Sequence, residues 1–152
     1  MKKLLQLQVI VLLVGTLFAW YTVITEFLKF YDVEGTIFRV TDCVFPNPVT
    51  TPCFWGAWAF LIALIWAYKI LKMSGDEQKI NQKRLTWLLI AGTIFAWSNN
   101  SYQIVKFYTQ VGGEPGIGCS GQLITNPFLT SCNIGATIFL IALVVGFVIR
   151  KR

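Results

Sequence analysis

The chain has 152 residues, of which 55% are hydrophobic and only 13% are charged, and its formal net charge is +6. A soluble domain carries roughly 25% charged residues, so this composition argues against a soluble enzyme, a disordered chain or a nucleic-acid-binding protein. The chain contains no histidine, the commonest metal ligand and general base, and no metal site is predicted. The composition indicates a small integral membrane protein with the lipid bilayer as its first partner.

Four apolar stretches predict membrane-spanning helices, each of which needs about 20 residues. They cover 4–25, 52–71, a third stretch that is strongly apolar over 85–97, and 132–149. Two long loops, 26–51 and 104–131, and one short loop, 72–84, are expected between them. Because backbone polar groups in lipid must be paired within their own segment, the expected fold class is an all-α integral membrane bundle of four transmembrane helices, with 1–152 as a single membrane domain.

The basic residues predict the orientation, because cytoplasmic loops of membrane proteins are enriched in lysine and arginine. With the N-terminus inside, three basic residues lie outside, namely Lys29, Arg39 and Lys106, and the other ten lie inside: Lys2, Lys3, Lys69, Lys72, Lys79, Lys83, Arg84, Arg150, Lys151 and Arg152. We therefore expect a protein of the cell (inner) membrane with cytoplasmic termini and extracytoplasmic long loops. The first helix is expected to be retained, because no site of small residues for signal peptidase ends it.

The chain contains a tandem duplication of a helical hairpin. Residues 15–31 align with 92–108 at an offset of 77, with eight of 17 positions identical, and 47–64 align with 126–143 at an offset of 79, with 11 of 18 identical. Repeat one is expected over about 4–72 and repeat two over about 85–150, joined by a cytoplasmic linker at about 73–84. Two spans per copy mean that both copies insert the same way up, so this is a parallel repeat about an axis along the membrane normal.

The four cysteines form two pairs, each with one cysteine in a long loop and one at the start of the helix that follows: Cys43 with Cys53, and Cys119 with Cys132. Thiols outside the cytoplasm usually oxidise. Of the three connectivities that four cysteines allow, proximity in sequence and the duplication favour the disulfides Cys43–Cys53 and Cys119–Cys132. Each bridge would tie a long loop to the start of the following helix and, in the chain-entropy model, stabilise the fold by roughly 3 kcal/mol.

A redox role is the alternative for the same cysteines. Four helices, both termini inside and two cysteines in each outer loop resemble the membrane disulfide oxidoreductases, both the DsbB-like quinone reductases and, more loosely, the vitamin K epoxide reductases. This resemblance of organisation covers the whole chain and implies exchange chemistry at all four cysteines with a quinone as cofactor. The spacings Cys43-x9-Cys53 and Cys119-x12-Cys132 depart from the Cys-x-x-Cys motif of those families. Cys53 and Cys132 lie in the first turn of a predicted helix, where the helix dipole favours the thiolate.

Two further features recur or diverge between the copies. Asn47-Pro48 and Asn126-Pro127 each precede a predicted span, as an N-cap asparagine followed by proline at the first helical position does. Paired Asn-Pro motifs also line aquaporin pores, but there an alanine follows and the repeats are inverted.

The copies diverge at 21–26, which align with 98–103. This alignment places Ser98, Asn99, Asn100 and Gln103 in the outer third of the third helix as a candidate polar site, because polar residues at membrane depth can mark one. The alternative is that this helix leaves the membrane near Ser98 and continues at the surface.

The sequence favours a non-catalytic function, a structural or partner-binding membrane subunit without a cofactor. Its partner would be another membrane protein or further copies of the chain, and no nucleic acid is expected. No carboxylate pair, phosphate-binding glycine loop or nucleophile–base set points to an enzyme. The alternative is a membrane thiol–disulfide oxidoreductase coupled to a quinone, and the third hypothesis is a small transporter or pore.

Overall fold

A computed structural model describes residues 2–35, 47–109 and 126–151. These residues form four α-helices and no strand: α1 (Lys2–Glu34), α2 (Pro52–Lys72), α3 (Gly75–Thr109) and α4 (Ser131–Lys151). A short 3₁₀ turn precedes each of the two shorter helices, Pro48–Thr50 before α2 and Pro127–Leu129 before α4. The expected all-helical fold with four helices is present.

The helix ends follow from local sequence. Gly35 has a φ of +66° and its N–H donates to the Tyr31 carbonyl at 2.8 Å, which is the left-handed stop for which glycine is suited. Gly75, the first residue of α3, has a φ of +67° and makes the turn between α2 and α3. Pro52 starts α2 at the first helical position, where a backbone N–H would have no acceptor within the helix, so proline breaks no hydrogen bond there.

The connection between α2 and α3 is shorter than predicted. A loop was expected over 72–84, yet α3 begins at Gly75 and only two residues separate the helices. The side chain of Gln78 explains part of this, since its Nε2 donates to the Ile70 and Met73 carbonyls at 3.0 and 2.9 Å. A side chain of α3 thus satisfies the open carbonyls at the end of α2.

Three of the helices are long and apolar enough to cross a membrane, over Lys2–Val33, Pro52–Lys72 and Ser131–Lys151. The third predicted span lies in α3, whose strongly apolar part covers only 85–97 of its 35 residues. Polar residues precede and follow this part, so composition alone does not mark α3 as a span.

The helices form a bundle in which α1 and α3 each pack against both α2 and α4. We call the end that holds Lys2, Lys72 and Lys151 the basic end, and the end at which α2 and α4 begin the cysteine end. Near the middle, α2 and α4 meet across the bundle, where the Phe60 and Phe139 rings contact edge-on with centroids 4.7 Å apart.

Positions related by the sequence offsets make matching contacts. A methyl group added to Gly15 would overlap the Phe60 ring, and one added to Gly92 would overlap the Phe139 ring. Without these glycines the phenylalanines could not reach the centre of the bundle. In both halves, therefore, a glycine of one helix receives a phenylalanine of the next.

The basic end is filled by apolar side chains, among them Leu12, Ile70, Leu85 and Leu89, which are fully buried. One polar contact crosses this core, where Gln82 Nε2 donates to Gln8 Oε1 at 3.0 Å. Close packing of these side chains holds the helices together at the basic end.

Candidate functional site

The two cysteines at the helix starts face each other. Cys53 lies in the first turn of α2 and Cys132 in the first turn of α4, and their Sγ atoms are 2.9 Å apart. A disulfide bond measures about 2.05 Å, so the two sulfur atoms are in contact but not at bonding distance. Cys43 and Cys119 lie outside the described residues, and so do the predicted pairings Cys43–Cys53 and Cys119–Cys132. The structure instead brings together one cysteine from each half of the chain.

A cleft of about 110 Å³ lies beside this cysteine pair. Its lining on α2 includes Cys53, Gly56, Ala57 and Phe60, and its lining on α4 includes the residues at the equivalent positions, Cys132, Gly135, Ala136 and Phe139. The spacing i, i+3, i+4, i+7 places each set on one helical face. The cysteine pair and the phenylalanine pair are therefore about 10 Å apart along the axis, with small residues between them.

The remaining walls come from α1 and α3. They are mostly apolar, with Phe18 and Ala19 on α1 and their equivalents Phe95 and Ala96 on α3. The exposed Trp55 also borders the cleft. Pockets of this kind, apolar with a few placed polar groups, are typical of small-molecule sites.

The predicted polar site is partly at the cleft. Asn99, Asn100 and Gln103 line it, whereas Ser98 is exposed and does not. The Asn99 side chain donates to the Phe95 carbonyl of its own helix at 2.9 Å. Asn100 is only 2% exposed, so the polar cluster is not simply a surface continuation of α3.

A short chain of hydrogen bonds orients Asn100. Its Nδ2 donates to Asn133 Oδ1, and Asn133 Nδ2 donates to the Phe128 carbonyl at 2.7 Å. Because a carbonyl oxygen can only accept, the direction of both bonds is determined. Asn100 therefore uses one N–H on Asn133 and has a second N–H to donate.

The Asn-Pro motifs build the entries to α2 and α4. Asn47 Oδ1 accepts from the Val49 N–H and Asn126 Oδ1 accepts from the Phe128 N–H, each at 3.0 Å. Each asparagine thus caps the 3₁₀ turn that precedes a helix, and neither lines the cleft. Among the residues that the structure describes, these motifs position the helix starts that carry the cysteines.

Sequence reasoning missed several residues of the site, namely Gly56, Gly135, Phe60, Phe139 and Asn133. The signal for the first four was present, because both copies repeat them at an offset of 79 and at helical spacing from a cysteine. Equivalent residues of a parallel repeat approach each other when they lie near the axis between the copies. Asn133 replaces the Phe54 of the first copy, so its signal is a polar residue in the second copy where the first copy has an aromatic one.

No family model, no curated protein and no solved structure matches this chain.

Proposed function

We propose that this chain is a membrane thiol–disulfide oxidoreductase in which Cys53 and Cys132 are the reacting pair and a quinone is the electron acceptor. The observation that carries the proposal is the 2.9 Å separation of the two sulfur atoms. At this distance a disulfide can form with a small movement of either side chain. The pair would replace the Cys-x-x-Cys motif of the families that the chain resembles, with each thiol supplied by a different helix.

The proposed reaction balances as a two-electron exchange. The S–H bonds of Cys53 and Cys132 break, an S–S bond forms between the two sulfur atoms, and two electrons and two protons pass to the quinone, which becomes a quinol. A dithiol on a second protein, or the outer-loop cysteines Cys43 and Cys119, would then reduce the Cys53–Cys132 bond by exchange, and the donor dithiol would itself become a disulfide. Exchange proceeds by attack of a thiolate on a disulfide sulfur, and both cysteines lie at helix N-termini, where a thiolate is favoured.

The quinone fits the surroundings of the pair. The cleft beside Cys53 and Cys132 is lined mainly by aromatic and small apolar side chains, with amides on one wall. A quinone ring is flat and apolar and carries two carbonyl acceptors. An apolar cleft beside two thiols is where such an acceptor could take their electrons.

The membrane setting is part of the proposal. α3 packs between α2 and α4, so it would cross the bilayer with the three helices that are apolar enough to do so. The matching Gly15–Phe60 and Gly92–Phe139 contacts support a duplicated hairpin. The basic residues support an orientation in which the basic end is cytoplasmic, the termini lie inside and the cysteine end faces outward.

Orientation has a direct test. In a variant without native cysteines, Gly113→Cys should react with an impermeant maleimide in intact cells, and Gly75→Cys should react only after lysis. Labelling in the reverse order would place the cysteine end in the cytoplasm, where disulfides are rare.

The redox proposal is tested with reduced full-length protein in detergent and dimethylnaphthoquinone, whose ring is fully substituted and does not alkylate thiols. We expect stoichiometric loss of quinone absorbance and a Cys53–Cys132 disulfide identified by mass spectrometry. Cys53→Ser and Cys132→Ser should each abolish both signals. The matched control, Cys43→Ser with Cys119→Ser, should retain a single turnover. Full activity in the Cys53→Ser/Cys132→Ser protein would contradict the proposal.

A second function, the non-catalytic membrane subunit, is favoured by one observation. Cys53 and Cys132 lie on α2 and α4, which meet across the bundle, so a bridge there would staple the two halves. In that case the Cys53–Cys132 pair should stay oxidised and should not reduce the quinone. The Cys53→Ser/Cys132→Ser variant should melt at a lower temperature than the unmodified protein. The subunit would then act through a membrane protein partner or further copies of the chain.

A further inference from the structure

The helices contain two pairs of glycines at equivalent positions, and the pairs differ in their surroundings. A methyl group on Gly15 or Gly92 would collide with a phenylalanine ring, so those glycines are explained by helix packing. Among the residues that the structure describes, a methyl group on Gly56 or Gly135 would meet no atom within 4 Å. Packing within the described part of the chain gives no reason for these two residues to be glycine.

Glycine inside a helix is disfavoured relative to alanine, because it loses more backbone freedom on folding. Both copies nevertheless have glycine here, and both glycines line the cleft beside the cysteine pair. A glycine without a packing role is explained if another molecule lies against the bare backbone. On each of the two helices the glycine lies between the cysteine and the phenylalanine that line the cleft, so no side chain fills the space at this level.

We propose that the quinone ring binds between Gly56 and Gly135, with the Cys53–Cys132 pair at one edge and the Phe60–Phe139 pair at the other. The identity of the ligand rests on the proposed function, whereas the position of the site rests on the cleft and its glycines. The two aromatic rings form an apolar floor, and the thiols lie where they can pass electrons to the ring edge.

The two sides of the cleft, which we also call the slot, differ in polarity, and this difference gives the bound quinone ring its orientation. Asn100 of α3 lines the slot, whereas the equivalent position of α1 is the buried Val23. Asn133 holds the Asn100 side chain through the hydrogen bond described above. The second N–H of Asn100 donates to one quinone carbonyl, so the bound ring has one orientation although the surrounding repeat has two equivalent halves.

The site is tested by ligand binding in the full chain with Cys53→Ser and Cys132→Ser, in which the proposed redox reaction cannot occur. Binding of dimethylnaphthoquinone is followed by quenching of tryptophan fluorescence, since Trp55 borders the cleft. Gly56→Ala and Gly135→Ala should each weaken binding about ten-fold, because a methyl group in a tight apolar pocket changes affinity by about that factor. The double variant should lose still more.

Matched controls separate the slot from the fold. Ala91→Val adds bulk at an exposed position of α3 outside the cleft and should leave affinity unchanged. Circular dichroism and melting temperature should show that the alanine variants fold, since their new methyl groups meet open space. Folded Gly56→Ala and Gly135→Ala proteins with unchanged quinone affinity would overturn the proposed site.

The orientation is tested with Asn100→Val, which restores the residue found in the first copy. Binding of dimethylnaphthoquinone should weaken several-fold, by about the value of one hydrogen bond. Binding of dimethylnaphthalene, which has the same rings without carbonyls, should be unchanged. An equal loss for both ligands would overturn the Asn100 contact.

Two further outcomes are distinguishable. If dodecanol displaces the quinone and its own binding falls equally in the glycine variants, the slot holds acyl chains and the inference is wrong. If the glycine variants weaken quinone binding but the wild-type thiols never reduce it, the site stands and the proposed oxidoreductase function fails.

Discussion

The two ends of the bundle are built from the same four helices but are packed differently. At the basic end Leu12, Leu85 and Leu89 are fully buried and fill the space between the helices. At the cysteine end Gly56 and Gly135, with an alanine beside each, leave a cleft. Helix association in a membrane depends on close packing rather than on burial from water. Close packing therefore stabilises the bundle mainly at its basic end, whereas the cysteine end keeps an open cleft.

The largest effect is expected from a cavity at the basic end. Leu89→Ala should lower the free energy of unfolding by about 2 kcal/mol, because the fully buried side chain loses its packing partners. Thermal melting in detergent measures this cost. Ile94→Ala, at a position that is 62% exposed on the same helix, is the control and should change little. Equal costs for the two variants would remove the distinction between the core and the exposed surface of the bundle.

The two glycine pairs should respond in opposite ways to alanine. Gly92→Ala forces the Phe139 ring to move and should cost about 1–2 kcal/mol. Gly135→Ala meets open space and should be neutral or stabilise the helix by up to about 1 kcal/mol. Melting temperatures of the two single variants make the comparison. A destabilised Gly135→Ala protein would mean that the cysteine end is packed more closely than the structure indicates.

The glutamine pair tests whether polarity at the basic end contributes to stability. Gln82→Leu removes the hydrogen bond to Gln8, whose side chain is fully buried. The unpartnered amide should cost about 1 kcal/mol. Gln8→Leu with Gln82→Leu should recover most of this, since the positions equivalent by the offset of 77 are Leu85 and Leu5, both buried. A double variant less stable than either single one would show that the pair has a further role.

The smallest effect is expected at the turns that lead into the cysteine end. Asn126→Ala removes the side-chain acceptor for the Phe128 N–H in an exposed turn and should cost about 0.5 kcal/mol. Asn47→Ala makes the same change where the asparagine is only 8% exposed, so it should cost about 1 kcal/mol. Chemical denaturation compares the two. A larger cost for Asn126 would reverse the order that burial predicts.

Much of the fold could be predicted from the sequence, because its signals are local or periodic. The apolar stretches located the four helices. Asn47 and Asn126 were expected as N-caps of the two shorter helices, and each instead caps the 3₁₀ turn that precedes its helix. The start of α3 at Gly75 was missed, because the first turns of this helix are polar and their sequence resembles that of a loop. Their helical role depends on a tertiary contact, since the Gln78 side chain donates to carbonyls at the end of α2. Polar composition does not distinguish a surface loop from a helix that caps its neighbour.

The candidate site was predicted only in pieces. Asn99, Asn100 and Gln103 were singled out, but their relation to Cys53 and Cys132 was not, because these residues come from three helices. Proximity in sequence predicts the pairings Cys43–Cys53 and Cys119–Cys132, which lie outside the described residues and stay predictions. Across the bundle, the contact between Cys53 and Cys132 joins residues 79 positions apart, and such a contact depends on how the copies pack against each other.

The sequence by itself determined the helical class, the apolar character of the helices and the internal similarity of the two halves, because composition, period and repetition are properties of the chain. Only the tertiary structure decided which copies of a repeated residue meet and which space stays open. Gly15 and Gly56 are the same residue in the same kind of helix, yet one receives a phenylalanine ring and the other faces a cleft. The difference arises from neighbours on other helices, and the packing of the bundle alone specifies those neighbours.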